Sequence, residues 1–314
     1  FGPNHFFARQ QILWLETVPE GEPRLSGKLV LSEEYLDQLT TGKIRPPRYS
    51  SAFPAKQLAT QLNRQELILA PSTAEKLLEI ERWIKHGNWI KQKTQLGKRL
   101  KPGFRALFYG PPGTGKTLAA SILGNEYQKT VYRIDLSQII SKYIGETEKN
   151  LSKLFDKAAN KDWILFFDEA DALFGKRVGV KEAKDKYANQ ETAYLLQRIE
   201  DYPGLVILAS NLKDNIDKAF LRRFHSIIHF PFPTAKERLQ LWQSTLPQVP
   251  PTLYLAPQLD LTALAQRYKL TGANINNIVQ YCCYLAREQA QTQIDQDLLL
   301  KGIRREFEKE GKAQ

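Results

Sequence analysis

Compact apolar runs alternate with stretches of helical periodicity through the middle of the chain. The apolar or strand-like runs are 105–110, 131–135, 163–167, 205–210 and 226–230. The helical stretches between them are 116–127, 147–160 and 186–200. Uniformly apolar strands separated by helices are typical of a mostly parallel sheet with helices on both faces. The pattern therefore predicts an α/β sandwich, in which a ligand binds beyond the carboxyl ends of the strands.

The regions on either side of this alternation follow other patterns. A helix is predicted to begin at Pro71, where Ser72 and Glu75 have the spacing of a capping box. Beyond Pro231 the pattern is only helical. The helices predicted there are 234–246, 261–268, 272–290 and 294–309. The three predicted parts are an N-terminal segment and linker over 1–70, an αβα domain over 71–232 and a small all-helical domain over 233–314.

The N-terminal part is too short and polar to predict a named fold. Residues 25–31 are predicted to form a strand, and 32–39 a short helix capped by Ser32. Residues 40–57 are rich in proline, serine and basic residues, which predicts a linker or loop.

Length and composition are those of an ordinary globular protein of about two domains. The chain has 314 residues, of which 42% are hydrophobic and 25% charged. It has neither an apolar run of about 18 residues nor the pattern of a signal peptide. Its two cysteines are adjacent and give no disulfide framework. These features predict a protein of the reducing cytoplasm with no membrane span, and the absence of methionine indicates a processed or truncated product.

The positive charge of the chain is unevenly distributed. The net charge is +11, and residues 82–105 contain eight basic side chains and no acid. Such a run can bind nucleic acid or an acidic protein face, or it can be a solvated surface near a site for a polyanion. The run lacks the regular aromatic residues of a single-strand platform, which favours the solvated surface.

A glycine-rich turn follows the first apolar run and precedes a predicted helix. Its residues are Gly110, Pro111, Pro112, Gly113, Thr114, Gly115, Lys116 and Thr117. Glycines let the backbone wrap around phosphate oxygens, and the N–H groups of the loop and of the helix N-terminus point at the anion. The lysine reaches the outer phosphates, and the threonine hydroxyl is a ligand for Mg²⁺. The turn therefore predicts a phosphate-binding loop (P-loop) for a nucleoside triphosphate with Mg²⁺.

Two later strands end in residues suited to hydrolysis. Asp168 is expected to hold the Mg²⁺ shell, and Glu169 to act as general base toward the attacking water. Asp171 fits a structural cap as well as a catalytic role. Asn211 ends the next buried strand, where its amide can hydrogen-bond both the terminal phosphate and the water.

A pair of arginines, Arg222 and Arg223, lies beyond the strand that ends in Asn211. A guanidinium that stabilises charge on a transferring phosphoryl group is worth about 10³–10⁵ in rate. The position of the pair predicts that it faces the ATP of a neighbouring subunit. That arrangement requires a head-to-tail interface, which closes into a ring.

These motifs, in this order, resemble the AAA ATPase family over about 71–290. The resemblance implies ATP and Mg²⁺ as cofactors, a helical lid and a homo-oligomer, usually a hexameric ring. It also implies that Gly272 and Ala273 in LTGANI contact the nucleotide, and that Arg222 and Arg223 are trans-acting arginine fingers. The absence of an arginine near Gly272 favours the protein-remodelling branch of the family.

Residues 141–155 resemble the family's central-pore loop and the helix after it. The residues that match the pore loop are Lys142, Tyr143, Ile144 and Gly145. An aromatic ring in a pore grips any extended polypeptide by packing. From the residues alone, Tyr143 fits a buried aromatic before a helix equally well.

One stretch departs from the family and several others suggest a narrower resemblance. Where the family has an Asp-Gly-Phe element, this chain has EDYPG at 200–204. Asp201 and Tyr202 are therefore candidates to replace that element in signalling between subunits. The segments 53–58, 99–117, 172–177, 187–204 and 215–233 are similar to the AAA ATPases of extracellular contractile injection systems, which are phage-tail-like particles. The favoured hypothesis is a ring ATPase that remodels or threads a protein client of such a particle.

Two other hypotheses compete with this one. The basic run over 82–105 suggests a motor or loader that is stimulated by nucleic acid, although the motifs favour a protein client. A scaffold that binds ATP without hydrolysing it is the third, and the presence of Glu169, Asn211 and the arginines argues against it.

Overall fold

The N-terminal part of the computed structural model is a small assembly of short elements. The structure describes residues 5–9, 12–16, 18–23, 25–43, 47, 49–50, 53–136, 146–159, 161–171, 183–211, 218–246 and 253–311. The first elements are α1 (Phe6–Arg9), β1 (Leu13–Leu15), β2 (Leu29–Leu31) and α2 (Glu33–Thr41). β1 and β2 pair antiparallel, and Ser32 caps α2 by accepting a hydrogen bond from the Tyr35 N–H, as predicted.

A six-stranded sheet forms the centre of the larger part of the chain. Its strands are β3 (Ala55–Leu58), β4 (Phe104–Tyr109), β5 (Val131–Asp135), β6 (Ile164–Asp168), β7 (Leu205–Ser210) and β8 (Ser226–His229). They lie in the order β3-β5-β6-β7-β4-β8, and all are parallel except the edge strand β3. The predicted mostly parallel sheet is therefore confirmed.

Helices cover both faces of this sheet. Both faces present apolar side chains that must be buried, because successive residues of a strand point to opposite sides. The covering helices are α3 (Pro71–Lys93), α4 (Lys116–Glu126), α5 (Glu146–Ala158) and α6 (Ala183–Asp201). Leu165 and Phe167 of β6 pack in one buried cluster with residues of α5 and α6, whereas Ile164 and Phe166 pack in another with residues of α3 and α4. A short helix, α7 (Lys218–Leu221), precedes β8.

Two local predictions were wrong. The segment predicted as a linker or loop ends in β3, which forms by antiparallel pairing with β5. The capping box at Ser72 is absent, since α3 begins at Pro71 after Ala70 without a side-chain cap. Proline is suited to the first helical position because its missing N–H would have no helical partner there.

The C-terminal part is a helical lid with its own core. Its helices are α8 (Ala235–Thr245), α9 (Leu261–Arg267), α10 (Gly272–Glu288) and α11 (Gln296–Lys309). The strands β9 (Tyr254–Leu255) and β10 (Gln293–Ile294), which the sequence did not predict, form a short parallel pair. Cys282 is buried in this core, and burial raises the pKa of its thiol to about 12, which makes it a packing residue. Among the described residues, no helix is both long and apolar enough to cross a membrane.

Candidate nucleotide site

A cavity of about 490 Å³ lies at the carboxyl ends of β4, β6 and β7. This is the edge of the sheet where the strand pattern predicts a ligand. Its walls come from the P-loop, the strand ends, the lid and a segment before α3. The predicted site residues that line it are Pro112, Gly113, Thr114, Gly115, Lys116, Thr117, Asp168, Glu169, Asn211, Gly272 and Ala273.

The backbone of the P-loop requires glycine at three positions. Gly110, Gly113 and Gly115 have φ of 144°, 75° and 98°, in the left-handed region that disfavours side chains. A Cβ at Gly110 would stand 2.0 Å from the carbonyl oxygen of Phe230. Gly115 is the N-cap of α4, so the free N–H groups of the first turn of that helix face the cavity region.

Lys116 places a buried positive charge in this cavity. Its Nζ donates to the carbonyl oxygens of Gly110 at 2.6 Å and Pro111 at 2.9 Å, and to Asn211 Oδ1 at 3.1 Å. Burial lowers the pKa of Lys116, and the charges of Asp168 and Asp171 oppose that shift. The three oxygens that accept from this ammonium are neutral, so they do not balance its charge. An anionic ligand would supply the opposite charge.

The two acids after β6 have different environments. The Asp168 carboxylate forms an ion pair with Arg133 of β5, with 3.0 Å between Oδ2 and Nε. Glu169 is exposed and has a positive φ of 53° at the sharp turn after the strand. Thr117 and Asp168 line the same cavity and supply the oxygen donors that Mg²⁺ prefers when phosphates and water complete its shell. These residues therefore fit a magnesium nucleotide.

Asp171 holds the end of β7 against the end of β6. Its Oδ1 accepts from Ser210 Oγ at 2.5 Å, and its Oδ2 accepts from the Asn211 N–H at 3.1 Å. Of the two roles left open by the sequence, these bonds support the structural one. Asp171 fixes the backbone from which Asn211 reaches Lys116.

The lid contributes the N-terminus of α10. Thr271 caps this helix by a capping box with Asn274, and the Ala273 N–H donates to the Gly113 carbonyl oxygen at 3.4 Å. A Cβ at Gly113 would lie 2.7 Å from Thr271 Oγ1, so the glycine also allows the lid to approach. The lid and the P-loop are therefore in direct contact.

The wall on the remaining side was missed by the sequence analysis. Leu62, Glu66, Leu67, Ile68 and Leu69 line the cavity, although this segment was assigned to the N-terminal part. The run Leu67–Ile68–Leu69–Ala70 directly before Pro71 was the available signal, since such a run is apolar enough to be buried.

Comparison with known proteins identifies the domain that carries this site. Residues 106–232 match the ATPase family associated with various cellular activities (AAA). The matched segment contains the P-loop, the two strand-end acids, Asn211 and both arginines. ATPases of the family use ATP with Mg²⁺, which agrees with the donors around Lys116.

A curated relative matches a larger part of the chain. The proteasome-activating nucleotidase of Aeropyrum pernix is 32% identical over 212 residues, which are 65% of this chain and 51% of that protein. The chain thus spans about half the length of that relative.

The two arginines lie away from the cavity of their own chain. The backbone N–H and carbonyl of Arg105, at the amino end of β4, both bond to His225, and its side-chain Nε donates to the Arg223 carbonyl oxygen, so the arginine turn sits at that end of the sheet. The cavity is at the other end of β4, about 17 Å away at strand rise. Both arginines are exposed, and Arg223 Nη1 forms an ion pair with Glu200 at 2.8 Å.

In the stretch 200–204, which differs from the Asp-Gly-Phe element of the AAA family, Tyr202 belongs to the core and Asp201 does not. Tyr202 is buried, and its hydroxyl donates to the Trp163 carbonyl oxygen at 2.7 Å. Asp201 is exposed. Tyr202 is therefore a packing residue, and a role of Asp201 between subunits stays a prediction. The predicted pore-loop residues Lys142, Tyr143, Ile144 and Gly145 lie outside the described residues.

Proposed function

We propose that this chain is an ATP-hydrolysing motor that assembles into a ring, most simply a hexamer, and remodels or threads a protein client through a central pore. The observation that carries the proposal is the composition of the cavity wall. Strand ends, P-loop and lid all contribute to one cavity, and Ala273 of the lid bonds to Gly113 of the P-loop. A change in the terminal phosphate therefore acts on the contact between two domains, which is how hydrolysis produces movement.

Five polar side chains at the cavity have a role in this proposal. Lys116 binds the outer phosphates, and Glu169 orients and deprotonates the attacking water. Asn211 is held beside Lys116 and contacts the terminal phosphate. Thr117 and Asp168 would hold Mg²⁺, which neutralises charge on the phosphate oxygens when it is bound.

The arginine pair supports assembly of several copies. Arg222 and Arg223 sit at the end of β4 opposite to the cavity. Their guanidinium groups are therefore better placed to contact a nucleotide bound to another copy than the nucleotide bound to their own chain. Copies joined in that way are related head to tail, and such an interface closes into a ring when its rotation allows.

The protein client is proposed from the comparisons and from the sequence. The matched relative is named for activating the proteasome, a protein-degrading machine. Tyr143 and its neighbours are proposed to grip the client in the pore. The segments similar to the ATPases of contractile injection systems suggest that the client is a component of such a particle, acted on in the cytoplasm.

A nucleic-acid-stimulated motor is the second candidate. Arg82, Lys85, Trp89 and Lys93 share the solvent side of α3, and Trp89 is 62% exposed. An exposed aromatic ring among cations can stack on a base. A single such ring provides no extended platform, so the protein client remains the better supported choice.

The experiment is a phosphate-release assay on the purified chain, the Glu169→Gln variant and a matched control, Glu126→Gln at the exposed end of α4. We expect the first two to bind Mg-ATP equally, with turnover at least about 10²-fold lower in Glu169→Gln because the general base is lost. Capture from the producing cell with ATP-loaded Glu169→Gln should then retain the client. Equal turnover in all three proteins would contradict the proposed hydrolysis. Stimulation by DNA or RNA that falls steeply with salt would favour the second candidate.

A further inference from the structure

A cluster of polar side chains lies behind the cavity wall that the sequence analysis missed. It joins three elements: the short 3₁₀ turn Arg64–Glu66, helix α3 and the end of helix α4. Glu81 of α3 is its centre and is 8% exposed. Arg64 Nη2 lies 3.3 Å from Glu81 Oε1, and the Tyr127 hydroxyl donates to Glu81 Oε2 at 3.0 Å. Arg64, Glu81 and Tyr127 are called the clasp below.

The clasp joins the wall segment to the C-terminal end of α4. Arg64 belongs to the segment whose Leu62, Glu66 and Leu67 line the cavity, whereas Tyr127 directly follows α4, the helix that begins with Lys116. Asn125, also at the end of α4, donates from its side chain to the Thr60 carbonyl oxygen and adds a second tie to the same segment. The wall is also close to the P-loop itself, since a Cβ at Gly115 would lie 3.8 Å from methyl groups of Leu67 and Leu69.

Besides the clasp, the wall segment is held by Leu67 and Leu69, which pack against the buried cluster that includes residues of α3 and α4. It forms no strand or α-helix between Leu58 and Pro71, and its 3₁₀ turn is capped only by its own Asn63 and Glu66. The carboxylate of Glu81 is shielded from water. One of its oxygens accepts a charge-assisted hydrogen bond from the Tyr127 hydroxyl, and the other lies 3.3 Å from Arg64 Nη2 in an ion pair without a hydrogen bond. Burial raises the pKa of Tyr127, so its hydroxyl remains a proton donor.

From these contacts we infer that the clasp positions the cavity wall for nucleotide binding, with Glu81 as the positioning residue. The inference rests on the proposed function, because it assumes that the cavity binds ATP. The wall approaches the P-loop at Gly115, and the clasp residues themselves do not line the cavity beside Glu169 or Asn211. Loosening the wall therefore weakens the binding of ATP and ADP alike and leaves the hydrolytic groups in place.

The test compares Glu81→Gln with Glu79→Gln, a neutralisation at an exposed position of the same helix. Titration with a fluorescent ADP analogue should give a Kd about tenfold higher for Glu81→Gln, as expected for one lost charge-assisted contact, and an unchanged Kd for Glu79→Gln. In steady-state assays the KM for ATP should rise by a similar factor in Glu81→Gln, with kcat within about twofold of wild type. Circular dichroism establishes that each variant is folded.

Tyr127→Phe is the second, milder variant, since it removes only the hydroxyl at the partly exposed edge of the clasp. It should raise the Kd in the same direction by a smaller factor, and combining it with Glu81→Gln should add little. Nucleotide binding that is equal in wild type and both variants would overturn the clasp and leave the proposed function intact. A fall in kcat at unchanged KM would overturn it as well. A folded wild-type chain that binds neither ADP nor ATP would refute the proposed function and the clasp together.

Discussion

At the scale of single residues, Asp171 shows how a carboxylate beside a hydrolytic site can act through its neighbour. Both of its oxygens accept hydrogen bonds, one from the Ser210 hydroxyl and one from the Asn211 N–H. The Asn211 side chain in turn accepts from Lys116. Asp171 therefore sets the position of the amide that is proposed to contact the terminal phosphate.

Replacing Asp171 with asparagine leaves only one oxygen acceptor for these two donors. We expect kcat for ATP hydrolysis to fall about tenfold with a smaller change in KM, because the loss falls on Asn211 and not on the phosphate loop. Phosphate release measured over a range of ATP concentrations checks this. Asp260→Asn is the matched control, since Asp260 caps α9 in the lid and asparagine caps a helix as well. An unchanged kcat in Asp171→Asn would show that Asn211 does not depend on this carboxylate.

At the scale of elements, a buried polar network fixes the helix of the lid that touches the P-loop. Glu306 of α11 is 3% exposed and accepts hydrogen bonds from Asn274 at 3.1 Å and Asn277 at 3.0 Å, both on α10. Burial alone would raise the pKa of Glu306, but these bonds and the Lys309 charge outweigh it, so the pKa lies below its ordinary value of 4.5. The ionised carboxylate thus holds the two helices together.

A lowered folded-state pKa gives stability that is complete above the unfolded-state pKa and lost as pH falls through the folded-state value. We therefore expect Glu306→Gln to lower the free energy of unfolding by about 1–3 kcal/mol at pH 7. The difference from wild type should shrink below about pH 4.5, as the wild-type carboxylate takes up a proton. Urea unfolding at several pH values measures it, with Glu308→Gln, exposed on the same helix, as the control. A difference that is constant with pH would exclude the charge of Glu306 as its source.

The elements also show what the sequence could predict. The buried strands were predicted within about one residue because both of their faces are covered, which leaves a continuous apolar run in the sequence. β3 was missed because its residues, Ala55–Leu58, show neither a continuous apolar run nor an alternation, and they become a strand only by pairing with β5. A local sequence pattern does not show which distant strand a segment will pair with.

The candidate site also has a part that the sequence predicts and a part that it does not. The P-loop, the strand-end acids and Asn211 have characteristic types and spacings, and the structure brings them to one cavity. The wall over 62–69 has no motif, because it offers apolar side chains that many sequences can supply. The clasp could not be predicted from the sequence either, since Arg64, Glu81 and Tyr127 are far apart in the chain and meet only after folding.

At the scale of the whole molecule, the chain carries its cavity and its arginine turn at opposite ends of β4. Both arginines are exposed, and Arg223 forms an ion pair with Glu200 of its own chain. If a neighbour's arginine completes each site, turnover per chain must rise with protein concentration until the ring is assembled.

Arg222→Ala tests this arrangement. Turnover should fall by about 10³-fold or more, as for other arginine fingers, while the Kd for nucleotide on the single chain stays the same. Adding an excess of Glu169→Gln chains, which retain Arg222, to the Arg222→Ala chains should restore part of the activity, because mixed rings place an intact arginine beside an intact Glu169. Specific activity that is independent of concentration, with no recovery on mixing, would argue against sites shared between copies.

The antiparallel edge strand has a practical consequence for anyone who shortens this protein. Trimming the chain to begin at Pro71, where the regular alternation of elements starts, would delete β3 and expose the backbone hydrogen-bonding groups along β5. An uncovered strand edge of that kind invites pairing with other molecules and precipitation. The same cut would remove one side of the nucleotide cavity, so a soluble and active fragment should start upstream of Phe53, whose ring packs against Tyr132 and Trp163.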